Sequence, residues 1–153
     1  MRLSFVTALV GFLFSVTTKA LADLFLHAPL PIFGSWFGLD YVTNPGIAFG
    51  VVFPPPLQYI LIGGAFIAIL WFFQQWSRHF LCHIGTSLIL GGGLANIIDR
   101  FRDGVVTDFI VLWPFPLFNV ADVCITFGAL FLVLGEFGPK RYRKALAEFF
   151  WRW

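Results

Sequence analysis

Long runs of apolar residues alternate with short polar or proline-rich connections along this chain. Four runs stand out, at residues 3–22, 57–73, 79–98 and 118–137. A helix needs about 20 apolar residues to cross about 30 Å of hydrocarbon, and the runs are close to that length, with the second the shortest. The pattern therefore predicts an all-α membrane protein with four transmembrane helices. They use roughly half of the chain, which leaves one domain at residues 1–153.

Two connections between the predicted helices have the composition of strands. Residues 26–56 place prolines and glycines between short aromatic and β-branched pieces, and residues 105–112 also have strand character. We expect residues 26–56 to form a small extracytoplasmic β-cradle on the membrane surface. Pro54-Pro-Pro56 predicts an extended approach to the second helix. Asn119 is a candidate N-cap of the fourth helix, which puts Asp122 in its first turns.

Composition and charge agree with a membrane location and indicate an orientation. The chain is 59% hydrophobic and 12% charged, whereas soluble domains carry about 25% charged residues. The basic residues near the predicted inner side are Arg2, Arg78, Lys140, Arg141, Arg143, Lys144 and Arg152. Residues 26–56 contain no Lys or Arg, so both termini are expected in the cytoplasm and the two long connections outside. The basic tail fits contact with anionic lipid rather than nucleic acid.

The first run also resembles a cleavable signal peptide, because it ends in Ala20-Leu-Ala22. Lys19 lies directly before these small residues, and removal of the run would leave an odd number of spans with a basic tail outside. We therefore expect the first run to remain as a helix, with Lys19 facing the bundle or extending to the membrane surface.

Apart from the basic tail, polar residues concentrate at one depth, near the outer surface. Asn96 and Asp99 share a helix face at a spacing of three residues, and Asn119 and Asp122 repeat the spacing. A carboxylate at the margin of hydrocarbon costs at least a few kcal/mol, so Asp108 and Asp122 are candidates for chemistry. Paired carboxylates can accept and donate a proton in turn, as an aspartic hydrolase requires. Few cations are available for the acidic residues here, which favours one shared proton.

Other mechanisms have less support in the sequence. Asp99 and Arg100 are also compatible with a simple salt bridge at the rim. A hydroxyl nucleophile could come from Ser15, Thr17 or Thr18, but nothing near them in the sequence indicates a base. The histidines are scattered, at His27, His79 and His83. Cys82 and Cys124 are expected at opposite depths, without a disulfide, and no spacing typical of metal ligands is present. A transporter subunit would need polar residues through the whole depth of the membrane, whereas the polar residues of this chain concentrate at one depth.

Four segments in order resemble the motifs of the lipoprotein signal peptidase family, also called signal peptidase II. They are Asn44-Pro-Gly-Ile-Ala-Phe-Gly50, Gly91-Gly-Gly-Leu-Ala-Asn-Ile-Ile-Asp-Arg100, Gly104-Val-Val-Thr-Asp-Phe109 and Phe118-Asn-Val-Ala-Asp122. The resemblance implies an aspartic endopeptidase of the bacterial inner membrane without a cofactor. Such an enzyme removes the signal peptide of a diacylglyceryl-modified prolipoprotein by cutting before the lipidated cysteine. Its site would also bind the inhibitor globomycin.

The resemblance also implies roles for individual residues. Asp108 and Asp122 match the catalytic pair of the family. Supporting or substrate-contacting roles fall on Lys19, Asn44, Asn96, Asp99, Arg100 and Asn119.

Three departures separate this chain from the family pattern. Ser15 and Val16 stand where the first span of the family usually has Asp-Gln, and Ala95 replaces a glycine. The connection at residues 50–57 is short and carries three prolines, where relatives often have a lid helix, so gating of the site is expected to differ. A catalytically silent relative that binds lipidated peptides is therefore an alternative. Ser15 is its main support, and the intact aspartate pair argues against it.

Overall fold

One helix packs against all the others, and a small sheet lies at its end. The computed structural model describes residues 2–46, 51–76 and 80–139. In chain order the elements are α1 (Arg2–Phe25), β1 (Leu30–Phe33), β2 (Phe37–Asn44), α2 (Pro55–Trp76), α3 (Phe80–Asp103), β3 (Val106–Leu112) and α4 (Val120–Phe137). Helix α3 packs on α1, α2 and α4. Arg78, His79, the basic tail and residues 47–50 of the Asn44 motif lie outside the described residues.

The distribution of side chains is that of a membrane protein. Within the described ranges, α1, α3 and α4 are long and apolar enough to cross a membrane, and α2 carries a shorter apolar stretch, Pro56–Trp71. Large apolar side chains face outward, as at Phe5 and Phe137, whereas the largest fully buried side chains include Thr86 and Ser87. Lipid is as apolar as leucine, so small and polar residues occupy the interior instead.

The helix ends differ from the predicted boundaries for identifiable reasons. Helix α1 continues to Phe25, and α3 continues past Ile98 to Asp103, so Asn96 and Asp99 share one helix. Gly104 then adopts a φ of 75° and donates its N–H to the Arg100 carbonyl at 3.1 Å, which ends α3. Helix α2 begins at Pro55. The extended approach therefore covers only Pro54, because prolines are tolerated in a first helical turn that lacks N–H partners.

Glycines allow α3 to approach its neighbours at backbone distance. A Cβ atom at Gly91 would collide with the Ala8 carbonyl of α1, and one at Gly92 would lie 2.5 Å from the Ala121 carbonyl of α4. A Cβ at Gly93 meets nothing within 4 Å. The three consecutive glycines thus face α1, α4 and open space, because successive helical residues are 100° apart.

The sheet is built from both connections with predicted strand character, with β1 and β2 in the first and β3 in the second. The predicted cradle at residues 26–56 is thus joined by a strand from the second connection. The strand order is β1-β2-β3, with antiparallel pairs throughout. Val42 lies opposite Asp108 and Thr43 opposite Thr107, and the register shifts between Leu39 and Val42. Such an irregularity bends a strand locally. Strand β3 can complete the sheet because Gly104 turns the chain back directly after α3.

Candidate active site

Asp108 and Asp122 are brought together by the connection between β3 and α4. Phe118 folds back on β3: its carbonyl accepts the N–H of Ile110 at 2.8 Å, and its own N–H donates to the Ile110 carbonyl at 3.2 Å. Asn119 follows and begins α4 as the N-cap. The strand that carries Asp108 therefore lies beside the first turn of the helix that carries Asp122.

Asn119 contacts both carboxylates. Its side-chain amide donates to Asp108 Oδ1 at 2.7 Å, and its backbone N–H donates to Asp122 Oδ2 at 3.0 Å. Its Oδ1 atom accepts the backbone N–H of Asp122 at 3.2 Å, which completes a capping box. The predicted N-cap is confirmed. Asp122 thus lies at the positive end of a helix dipole, which favours a negative charge there.

Asn44 holds Asp108 from the other side. Located at the end of β2, it donates its amide to Asp108 Oδ2 at 2.8 Å and accepts the backbone N–H of Gly46 at 2.8 Å. Both oxygens of the buried Asp108 carboxylate therefore accept an amide hydrogen bond. Asn44 and Val42 lie on the same face of the sheet as Asp108, because side chains alternate along strands.

Asn96 reaches Asp122 from α3 and is itself held by α1. Its amide donates to Asp122 Oδ1 at 2.9 Å, and its Oδ1 accepts from Lys19 Nζ at 2.5 Å. Lys19 is buried and forms a 2.6 Å salt bridge with Asp99. The alternative of an Asp99–Arg100 rim salt bridge is therefore wrong, as is the extension of Lys19 to the membrane surface. Among the described residues, Asp99 joins this network through Lys19.

Arg100 turns inward from the end of α3. Its Nη2 donates to the Gly46 carbonyl at 2.7 Å and its Nη1 to the Asn96 carbonyl at 3.3 Å. The side chain is buried, and its Nε atom has no hydrogen-bond partner among the described residues. Arg100 thereby joins the turn after β2 to α3, next to the two carboxylates.

Burial raises the pKa of the Asp108 carboxyl above its ordinary value. The amides of Asn44 and Asn119 act in the opposite direction because they stabilise the charged form, while the negative charge of Asp122 adds to the rise. Asp108 therefore keeps its proton to a higher pH than an exposed aspartate. The two carboxyl groups have unequal surroundings, which suits one to donate a proton and the other to accept one.

A cavity of about 1050 Å³ opens beside the carboxylates. Its polar end is formed by Asn44, Asn96, Arg100, Asp108 and Asp122. The remaining wall is largely apolar and comes from α2, α3, α4 and the β3–α4 connection, with Phe66 and Phe118 among its residues. The arrangement fits a ligand with a polar group at one end and long apolar parts at the other.

Helix α2 closes one side of this cavity, and the N-terminal part of the helix is attached to its neighbours. The amide of Gln58 donates to the Pro45 carbonyl at 3.0 Å, and Tyr59 stacks on Phe101 of α3 with ring centroids 5.8 Å apart. The predicted change in gating concerned residues 50–57, of which residue 50 lies outside the described part. Residues 51–54 have no regular secondary structure, and α2 starts at Pro55.

The other candidate residues lie away from the carboxylates. Ser15 is fully buried and donates to the Gly11 carbonyl at 2.7 Å, and Thr18 donates to the Phe14 carbonyl at 2.8 Å. Both hydroxyls are thus satisfied within α1, in the manner common for helical Ser and Thr. Cys82 and Cys124 do not form a disulfide. Among the described residues, no group of three or more His, Cys, Asp or Glu is arranged to hold a metal ion.

Sequence reasoning missed two contacts of this site. The partnership of Lys19 with Asn96 and Asp99 spans 77 and 80 residues, although Lys19 itself was a candidate. Asp23 was not singled out, yet it accepts the hydroxyl of Thr107 at 3.3 Å, directly beside Asp108. The position of Asp23 near the end of α1 gave little indication of a role, because the packing of β3 against that end cannot be predicted from the sequence.

Comparisons with known proteins give a consistent result. The family model described as Signal peptidase (SPase) II matches residues 7–137. A lipoprotein signal peptidase of Symbiobacterium thermophilum is 36% identical over 140 residues, which cover 86% of this chain and 92% of that protein. One of Chlorobaculum tepidum is 37% identical over 155 residues, covering 88% and 93%.

A solved structure agrees with the fold. A bacterial membrane enzyme determined by the in meso method at 2.3 Å superposes with a TM-score of 0.80 at 25% sequence identity. The match covers 88% of this chain and 87% of the other. The arrangement of helices and sheet is therefore similar to that of a known membrane enzyme.

Proposed function

The chain belongs to the signal peptidase II family, and we propose that it removes signal peptides from diacylglyceryl-modified prolipoproteins by cutting before the lipidated cysteine. One observation carries the proposal: two carboxylates, both held by amide donors, lie at the polar end of a large apolar cavity. The carboxylates are required to cleave the peptide bond, and the cavity is required to bind the acyl chains and the signal helix of the substrate. The activity requires no cofactor.

Asp108 and Asp122 act as the catalytic pair in this proposal. Asp122 takes a proton from a water molecule, which attacks the carbonyl carbon before the lipidated cysteine, while protonated Asp108 donates to the carbonyl oxygen. As the tetrahedral intermediate collapses, the C–N bond breaks, Asp122 gives its proton to the leaving nitrogen, and Asp108 takes a proton back from the hydroxyl of the intermediate. The raised pKa of Asp108 supports its role as the initial proton donor.

The remaining polar residues keep this pair in place and contact the substrate. Asn44, Asn96 and Asn119 fix the carboxylate oxygens through hydrogen bonds of 2.7–2.9 Å. Arg100 lines the cavity together with the carboxylates, and its guanidinium is suited to a peptide carbonyl or a developing oxyanion. Asp99 supports the site indirectly, through its salt bridge with Lys19. Globomycin, as an inhibitor of the family, would occupy the same cavity.

We further propose that one domain, residues 1–153, spans the bacterial inner membrane four times. In addition to α1, α3 and α4, helix α2 crosses the membrane in this proposal. It has 22 residues, enough for about 30 Å of hydrocarbon. Both termini then face the cytoplasm, as the basic residues of the sequence indicate. The sheet and the two carboxylates lie at the outer face, and the substrate arrives sideways from the bilayer.

Cleavage of a lipidated model prolipoprotein by purified protein, followed by gel shift, tests the proposal. Asp108→Asn and Asp122→Asn are each expected to abolish cleavage while the protein stays folded. Removal of a side chain that takes part in the chemical step lowers kcat by a factor of about 10⁴ or more. Asp103→Asn is the matched control, since Asp103 is exposed and forms its salt bridge with Arg102, which is also exposed.

The same assay separates this function from that of a silent relative that binds lipidated peptides. If the protein is a silent relative, the unsubstituted protein and both variants will bind the lipidated substrate, and none of them will cleave it. Cleavage by either asparagine variant would instead refute the assignment of the pair.

A further inference from the structure

We propose that Lys19 is a positioning residue that fixes the orientation of the Asn96 amide and thereby aims a hydrogen-bond donor at Asp122. The inference rests on the proposed function and deepens it, because it assigns a specific task to a residue outside the catalytic pair. Lys19 does not contact Asp122 in the structure; it acts through Asn96.

Hydrogen-bond polarity fixes which end of the Asn96 amide faces Lys19. An ammonium group can only donate, whereas an asparagine side chain has one acceptor end and one donor end. Lys19 Nζ lies 2.5 Å from the Asn96 side chain and therefore requires the oxygen of the amide. The amino group must then point the other way, where Asp122 Oδ1 accepts it at 2.9 Å.

The other two asparagines are oriented differently, and the comparison explains why Asn96 needs a lysine. The oxygen of Asn44 accepts the backbone N–H of Gly46, and that of Asn119 accepts the backbone N–H of Asp122. Asn96 lies inside α3, where backbone N–H groups are already bonded to carbonyls four residues earlier. No backbone donor is free to orient it, so a side chain from α1 supplies one.

The charges around Lys19 support this task. Asp99 accepts a 2.6 Å hydrogen bond from the same ammonium group and compensates its charge. Arg100 and Asp108 are the other charged groups close to Asp122. Without Lys19, the Asn96 oxygen would lose its donor, and the amide would be held mainly by its bond to Asp122 Oδ1, which leaves it freer to tilt away from the position it now has.

A double-mutant cycle of Lys19→Met and Asn96→Ala tests the inference with the cleavage assay. Lys19→Met alone is expected to lower kcat by about 10- to 100-fold, with KM little changed, since small misplacements of catalytic groups have effects of that size. In the Asn96→Ala background, Lys19→Met is expected to have no further effect on kcat. Equal effects of Lys19→Met in both backgrounds would overturn the inference.

A second pair of variants removes the possibility that Lys19 only stabilises the fold. Lys19→Met leaves the half-buried Asp99 carboxylate without its cation, which lowers the thermal unfolding temperature in detergent. Asp99→Asn in the same chain removes that charge and is expected to restore the unfolding temperature but not kcat. Recovery of kcat together with stability would show that Lys19 does not position Asn96.

The unsubstituted protein separates the two levels of interpretation. If it cleaves the substrate and the cycle is additive, only the role of Lys19 fails. If it does not cleave, the proposed function fails, and the inference that rests on it fails as well.

Discussion

At the scale of single residues, the two carboxylates differ in their supports. Asp108 is held by amides from β2 and from the start of α4. Asp122 is held by Asn96 and by the helix end that it caps. Amide donors favour the charged form of a carboxyl group. Burial opposes them at Asp108 and raises its pKa.

The first prediction concerns the alkaline limb of the pH profile of kcat/KM. Asn44→Ala removes a donor that lowers the pKa of Asp108, so the pKa rises further and the proton donor survives to a higher pH. The alkaline limb is expected to move to higher pH. Thr43→Ala is the control, because Thr43 lies on the opposite face of β2 from Asn44. A limb unchanged by Asn44→Ala, or moved to lower pH, would mean that Asp108 does not set it.

The same shift has a defined sign for stability. A folded-state pKa above the unfolded value means that the folded protein binds this proton more tightly. The stabilisation is fully present below the ordinary pKa of aspartate and is lost as pH rises through the raised pKa of Asp108.

At the scale of elements, α3 determines the geometry of the site because it packs on both α1 and α4 and also lines the cavity. Asn96 is only four residues from Gly92 and five from Gly91, where α3 touches its neighbours. The close backbone approach at these glycines brings Lys19 of α1 and Asp122 of α4 within reach of one side chain. Helix packing and active-site geometry are therefore coupled.

A second prediction uses two adjacent glycines of α3 as a matched pair. A Cβ at Gly92 would lie 2.5 Å from the Ala121 carbonyl, whereas one at Gly93 meets nothing within 4 Å. Gly92→Ala is expected to lower the free energy of unfolding by about 1–3 kcal/mol, as overpacking does, and to reduce cleavage because α4 shifts. Gly93→Ala is expected to be neutral or stabilising by up to about 1 kcal/mol, since alanine favours helix. Thermal unfolding in detergent measures both, and equal losses would contradict the packing of α3 on α4.

At the scale of the whole molecule, the cavity unites the sheet and the helices in one task. Its polar end needs residues from β2, α3, β3 and α4, while its apolar part needs α2. Removing any of these elements would leave the carboxylates without their donors or the cavity without its wall. This dependence is consistent with one domain that folds as a unit.

A third prediction fills the cavity without touching the carboxylates. Gly93 lines the cavity, so Gly93→Leu places a bulky side chain where the substrate is expected to bind. We expect kcat/KM for the lipidated substrate to fall by about 10-fold or more and the affinity for globomycin to fall as well. Gly63→Leu is the control, because Gly63 is also open but does not line the cavity. Equal effects of both variants would exclude this cavity as the substrate site.

The sequence by itself determined the features that depend on neighbouring residues. Apolar run length predicted helices in the right places, with boundaries that moved by a few residues. Asn119, a residue type favoured at N-caps, predicted the cap of α4, which is confirmed. Cap and strand preferences are local, so they can be read without knowing the packing.

Only the tertiary structure decided which distant residues meet. It paired Asp99 with Lys19 rather than with Arg100, placed β3 beside β2, and put Asp23 behind Thr107. Each of these contacts depends on how the helices are rotated about their axes and on how closely they approach. Those quantities are set by packing at sites such as Gly91 and Gly92, whose partners lie far away in the chain.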